Sequence, residues 1–221
     1  MDGMLMKFVA TRQRMVETQL RTNRVTDEAV LAALAEVPRE LFVPRALRSV
    51  AYVDDDLEIE RGRYLMEPMV FARLLQLAGI EPSDTVLDIG CGTGYSAVVI
   101  GRLAGSVVAV ESSPTLAQRA EELFRELDAG NVSLVRGPLE QGHPAQAPYD
   151  VIFFDGAVAE IPAAIGDQLA EGGRLVCVTV ESGVGRATLA VRSGGGLSDR
   201  PAFDAAIRLL PGFAPKPRFV F

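Results

Sequence analysis

From Asp84 onward, short apolar runs alternate with amphipathic stretches. Runs of apolar and β-branched residues fall near 85–89, 106–110, 132–136, 150–154 and 173–180, a length and composition that predict strands. Between them, apolar residues recur at helical spacing near 95–103, 114–128 and 161–170, the second stretch opened by Ser113 and Pro114 as a cap followed by proline. Such alternation predicts an α/β fold, a doubly wound and mostly parallel sheet covered on both faces. Two further runs, 187–192 and 203–209, flank Gly194, Gly195 and Gly196 and predict an antiparallel hairpin at the sheet edge. Upstream, Val16 and Leu20 share a face within a helix predicted over 11–24. Thr26, Asp27 and Glu28 open a second helix, whose apolar face is Val30, Leu31, Leu34 and Val37 and which Pro38 ends. Residues 51–68 carry no period and predict a loop with short extended pieces. A helix over 69–78 then stops at Gly79. The chain divides on this pattern into a helical cap with a loop, 1–68, and one compact unit, 69–221.

The stretch from Val86 to Ala97 carries the candidate chemistry. A short apolar strand runs into Gly90, Gly92 and Gly94, glycines that let a ligand meet bare backbone, and the next helix aims its amides at that turn. The spacing is G-x-G-x-G with Asp88 two residues upstream, unlike the G-x-G-x-x-G of dinucleotide folds, and it favours a sulfonium nucleoside over a pyrophosphate. The following strand ends in Glu111, about 20 residues on, where an acid meets ribose hydroxyls in nucleoside-binding folds.

These residues resemble the first motif of the class I S-adenosylmethionine-dependent methyltransferases. Read with RQRMVETQL, VPRELFVPRAL, AYVDDDLEI and the pair Glu67-Pro68, the chain is similar to the protein-L-isoaspartate O-methyltransferase family from about Arg14 to Val180. The resemblance implies a Rossmann-like sheet of seven strands in the order 3-2-1-4-5-7-6 and S-adenosyl-L-methionine as cofactor. It places Asp88, Ile89, Gly90, Cys91 and Gly92 around the methionine part, Glu111 and Ser112 at the ribose, and Pro138 and Leu139 beside adenine; Asp155, where the family usually has a small or neutral residue, ends the strand 151–154 at the mouth of the predicted pocket. It also implies methyl transfer to a carboxylate of damaged aspartyl residues in proteins. Such an acceptor is ionised at neutral pH and needs no general base.

This sequence departs from the family pattern in its loop. Where the family has G-Q-T-I-S-Q-P, the chain has Gly62-Arg63-Tyr64-Leu65-Met66-Glu67-Pro68, so the active-site serine is Met66 and a neutral glutamine is Glu67. Arg61 and Arg63, two apart on an extended segment, predict side chains on one side that clamp a substrate anion, or that pair with the acids Asp54 to Glu60. Tyr64 is a candidate hydroxyl donor. The acids Asp54 to Asp56 are read as a solvated face. Asp155 fits a base for a hydroxyl or amine acceptor, which keeps a methyltransferase for another oxygen or nitrogen nucleophile as an alternative beside a cofactor-binding protein without turnover. After the third strand the family's G-D-G is replaced by Gly137-Pro138-Leu139, an apolar wall without the acid.

Composition narrows the partners. With 22 basic and 29 acidic residues the formal charge is −7, which argues against nucleic acid. Cys91 and Cys177 have no metal-ligand spacing, so no metal is expected, and His143, the lone histidine, lies in a loop as a bystander. No stretch approaches membrane-spanning length. A cytoplasmic enzyme acting on a peptide or protein is the expectation, with a small-molecule acceptor and the oligomeric state left open.

Overall fold

The computed structural model describes residues 2–215. Helix α1, Asp2–Met15, continues through a π turn, Val16–Leu20, and a 3₁₀ turn that Arg24 ends in a left-handed conformation. Helix α2, Glu28–Glu36, begins where the Asp27 carboxylate accepts from the amides of Ala29 and Val30. A hairpin follows, β1 (Leu57–Glu60) and β2 (Arg63–Leu65), and then α3 (Pro68–Ala78), closed by a left-handed Gly79. The Gln76 side chain of α3 accepts from the amides of Thr26 and Asp27, at 2.7 and 3.0 Å, and so fastens α2 to α3.

The sheet domain runs β3 (Thr85–Ile89), α4 (Tyr95–Gly101), β4 (Ser106–Glu111), α5 (Pro114–Glu126), β5 (Val132–Arg136), β6 (Tyr149–Val158), α6 (Ala163–Gly166), β7 (Leu169–Glu181), β8 (Val184–Ser193) and β9 (Gly196–Asp204). Ser113 caps α5 as its sequence predicts, its hydroxyl accepting from Leu116 N. The seven strands lie in the order β5-β4-β3-β6-β7-β8-β9, parallel up to β7 and antiparallel beyond. Counted from β3 this is 3-2-1-4-5-6-7, which corrects the order 3-2-1-4-5-7-6. The cause is local. Two residues, Ser182 (φ 50°) and Gly183 (φ 82°), join β7 to β8, and a two-residue turn with both φ positive permits only an adjacent antiparallel partner.

Two other predicted elements differ. The helix expected over 161–170 shrinks to α6, because Gln168 draws the chain into the sheet: its carbonyl accepts from Tyr149 N and its side chain bonds His143 N and Gln141 O. The run 203–209 does not stay a strand. After Asp204 the chain crosses the end of β6, where Arg208 O accepts from Ala157 N, Leu210 N donates to Ala157 O, and Ala159 N donates to Phe213 O. Phe213 then packs edge-on against Phe154, 5.5 Å between centroids.

One apolar cluster runs from the cap (Leu20, Leu34, Phe42) through α3 (Phe71, Leu74) to the sheet (Val86, Phe153), continuous across residue 68. Within it Phe42, Tyr95, Phe71 and Phe153 touch in sequence at 5.3, 5.5 and 5.6 Å. Each such ring contributes about 2 kcal/mol of burial, so the cap is held on its sheet face by packing. The opposite face holds Leu87, Ile89, Phe154, Leu139, Leu210 and Phe213. The loop before α3 is fixed by acids that the sequence suggests are solvated. Asp56 accepts from Glu67 N at 3.0 Å and Asp54 from Met69 N at 3.2 Å, satisfying free amides at the start of α3. Asp56 also accepts from Arg208 N at 3.3 Å, tying that loop to the C-terminal segment.

Candidate active site

Residues 90–94 leave β3 in a turn anchored on β4: the amides of Gly90 and Cys91 donate to Val110 O at 2.9 and 3.3 Å. Beside them β4 delivers Glu111, fully buried, whose carboxylate accepts from Gly92 N at 2.8 Å and Ser113 N at 2.7 Å. Its remaining acceptor capacity faces Arg63. That guanidinium pairs with both Glu111 oxygens, the second at 2.7 Å, and also donates to Gly90 O at 3.1 Å.

Arg63 and Arg61 therefore do not share a side. Arg61 lies in the turn between β1 and β2, exposed, while Arg63 begins β2 and is 5% exposed, because Gly62 (φ 74°) reverses the chain between them. The acids 54–60, one of the partners expected for Arg63, do not pair with it; Glu111 does. Burial opposes its charge, but the pair with Glu111 prevails and raises its pKa.

Asp88 and Asp155 meet at the floor. Phe153, two residues before Asp155 on β6, stands opposite Asp88 on β3. Both carboxyls are buried, and desolvation followed by mutual repulsion pushes Asp88 well up, with one oxygen accepting from Ser96 at 2.7 Å and the other making no hydrogen bond. Asp155 is raised by burial, against which the Ser96 hydroxyl and the guanidiniums of Arg63 and Arg39 act only in part. Cys91 is buried in this acidic setting and its thiol is pushed up by desolvation first, a poor nucleophile.

A cavity of about 20 Å³, the size of a single water, lies where this floor meets the loop and the C-terminal segment. Arg63, Tyr64, Met66 and Asp155 line it together with Arg208 and Leu210 of the C-terminal segment. Met66 is 3% exposed and its carbonyl accepts from Arg39 at 2.7 Å; Arg39 is wholly buried, donates also to Ala51 O and lies over the Tyr95 ring at 5.1 Å. The Arg208 guanidinium sits over the Tyr64 ring at 5.5 Å. Tyr64 OH is 3.5 Å from a Glu58 oxygen, outside good hydrogen-bond range. Glu67 stands just before α3 and is raised to about 7 by burial, then by Asp54, Asp56 and Asp55.

The other candidates divide. Ser112 is exposed, its hydroxyl 3.4 Å from Glu111. Leu139 is buried beside Gly90, as an apolar wall requires, whereas Pro138 is exposed and opens a 3₁₀ turn. Ile89 is buried in the apolar cluster on the face of the sheet opposite the cap. His143 lies away from the cavity, its carbonyl accepting from Tyr149 OH. Sequence reasoning missed Arg39, Asp56, Arg208 and Leu210. The one legible sign was the run Ile207-Arg208-Leu209-Leu210, a single cation among apolar residues after the last strand. Among the described residues no cluster of acids, cysteines and histidines fits a metal, and no helix is long and apolar enough to cross a membrane.

The residues present fit a cationic nucleoside. An orphaned, buried Asp88 oxygen beside a second acid suits an ammonium and a sulfonium, and Glu111 suits a pair of hydroxyls. Two side chains stand over this floor. Arg63 holds Glu111, and Leu210 approaches so closely that a Cβ on Gly90 or Gly156 would meet its side chain at 2.8 and 2.6 Å.

A doubly wound sheet, a glycine turn on its first strand and an acid ending its second define the class I methyltransferase fold. Residues 10–198 match the family model described as protein-L-isoaspartate(D-aspartate) O-methyltransferase. The chain belongs to that family. It is 41% identical over 197 residues to the protein-L-isoaspartate O-methyltransferase of Koribacter versatilis, covering 89% of this chain and 88% of the relative. It is 44% identical over 165 residues to protein-L-isoaspartate O-methyltransferase 2 of an Anaeromyxobacter species, covering 75% and 68%. A solved protein-L-isoaspartate O-methyltransferase superposes with a TM-score of 0.79 at 29% identity, covering 91% of this chain and 66% of its own. A Plasmodium falciparum structure, solved in complex with S-adenosyl-L-homocysteine, gives 0.78 at 19% identity over 89% and 96%, a likeness of fold.

Proposed function

We propose that this protein transfers a methyl group from S-adenosyl-L-methionine to the carboxylate of isoaspartyl residues in peptides and proteins, a repair activity in the cytoplasm, where Cys91 and Cys177 stay reduced. The observation that carries the acceptor class is the cavity near the glycine turn, whose lining includes Arg63 and Arg208 and not His143. A guanidinium binds a carboxylate bidentately and orients one oxygen, and an ionised acceptor needs no proton removed. The cofactor supplies a methyl group already activated on a sulfonium. Glu111 and Asp88 would hold it beside the bare backbone of the glycine turn, Leu139 would supply an apolar side, and burial would keep bulk water from the reacting centre. Met66 offers no hydroxyl where the family has serine, so anion binding falls to the arginines.

A second reading rests on Asp155, buried at the cavity with a raised pKa, and suits a hydroxyl or amine acceptor. Methyl transfer from labelled cofactor to an isoaspartyl peptide and its aspartyl twin, with calorimetric cofactor binding on the same sample, separates them. Selective labelling of the isoaspartyl peptide is expected. Binding without labelling would sink the carboxylate reading, and labelling of lysate metabolites would favour the second. Binding with transfer to neither peptide, protein nor metabolite would point to a cofactor-binding protein without turnover.

A further inference from the structure

We propose that Arg63 is an exchange residue: it neutralises Glu111 until the cofactor ribose takes that carboxylate, and is then handed to the carboxylate of the acceptor. The carboxylate acceptor rests on the reading above; the competition for Glu111 does not.

Glu111 has four places for a donor, and four strong donors fill them: two N–H groups of Arg63, Gly92 N and Ser113 N. A ribose that bonds this carboxylate must displace one. The two amides are fixed, Gly92 by the turn that Val110 O anchors and Ser113 by the start of α5. Arg63 is the displaceable donor, a side chain with rotatable bonds reaching across from β2. Its pairing also has a reason of its own: with Arg63 elsewhere and no ribose, Glu111 would be a buried charge facing only neutral amides.

The guanidinium has one route on release. Its stem is held on β2 beside Tyr64, and the space it already lines is the cavity with Met66, Asp155 and Arg208, which has to widen from the size of one water to receive it and the acceptor anion. Asp155 offers a holding partner there, and Arg208 supplies a second cation in the cavity lining. Cofactor arrival therefore adds a free bidentate cation to the acceptor site, and the acceptor anion binds after the nucleoside. The device replaces the missing serine: the anion ligand becomes available once the methyl donor is seated.

The test uses the full chain with R63Q and R63K, the second keeping charge without the fork in case the first folds poorly. Calorimetry gives the Kd for S-adenosyl-L-methionine and, separately, the Kd for an isoaspartyl peptide with and without S-adenosyl-L-homocysteine. R63Q is expected to bind the cofactor about tenfold more tightly, because Glu111 no longer has to be vacated. Wild-type enzyme is expected to bind the peptide about tenfold more tightly in the presence of the nucleoside, and R63Q to lose that gain, with R63K between the two. Cofactor affinity in R63Q that is unchanged within twofold, or weaker, overturns the competition. Wild-type peptide affinity that ignores the nucleoside overturns the hand-over. Tenfold tighter cofactor binding by R63Q, beside a wild type that ignores the peptide altogether, supports the competition and overturns the isoaspartyl acceptor instead.

Discussion

Replacing Glu67 with glutamine should stabilise the protein at alkaline pH and do little at acidic pH. Glu67 sits where a helix-capping acid is ordinarily favourable, but Asp56 already accepts from its amide and Asp54 from that of Met69. Its own carboxylate caps nothing and faces three acids in a half-buried setting, which raises it to about 7, burial first and the aspartates after. In the unfolded chain a glutamate titrates near 4.3. Between those values the folded state binds more protons than the unfolded state, so stability falls as pH rises through the window from about 4 to 7, and the whole cost is present above it. The gap between about 7 folded and about 4.3 unfolded sets a ceiling of about 3.7 kcal/mol, and solvent screening of a half-exposed group reduces this to about 1–2 kcal/mol. For a chain of this size that corresponds to about 3–6 °C in Tm. Calorimetric melts of both proteins at pH 8 and pH 4.5 should show the gain at the first and a difference below about 1 °C at the second. Equal shifts at both pH values, or a less stable variant at pH 8, would refute the reasoning.

Met66→Ser, which supplies the hydroxyl seen in the family loop, should raise isoaspartyl methyl transfer by at least about tenfold while lowering stability by about 2–4 kcal/mol, since a buried side chain is truncated; kcat/KM and urea unfolding on one preparation check both. Arg39→Met removes the donor to the carbonyls of Ala51 and Met66 and should cost about 2–4 kcal/mol in urea unfolding. Asp155→Asn should keep kcat on a carboxylate acceptor within about tenfold, whereas a loss of about 100-fold or more would assign it the base role.

The parts of the site legible in the sequence are those set by neighbours in the chain. The strand into Gly90, Glu111 ending the next strand, the Ser113-Pro114 start of α5 and the stop at Gly79 all follow from local chemistry, and all stand in the structure. What distant segments decide was not legible. Extended spacing put Arg61 and Arg63 together, but Gly62 turns the chain between them and Glu111, 48 residues on, captures one. The acids 54–56 resemble a solvated run until α3 presents amides to them. Arg208 and Leu210 enter the cavity through a bridge to Ala157, a pairing that no period in the tail announces.

The wall those two residues build lies outside residues 10–198, the stretch that identifies the family. Residues 207–210 join Arg63, Tyr64, Met66 and Asp155, which lie inside that stretch, in lining the cavity, so one part of the proposed acceptor space belongs to a segment the family match does not reach. Asp56 staples that wall to the loop before α3, so the two halves of the recipient's space travel as a unit. Replacing the segment after Asp204 would therefore touch both ends of the proposed transfer at once, since Leu210 lines the cavity and also packs against Gly90 at the glycine turn.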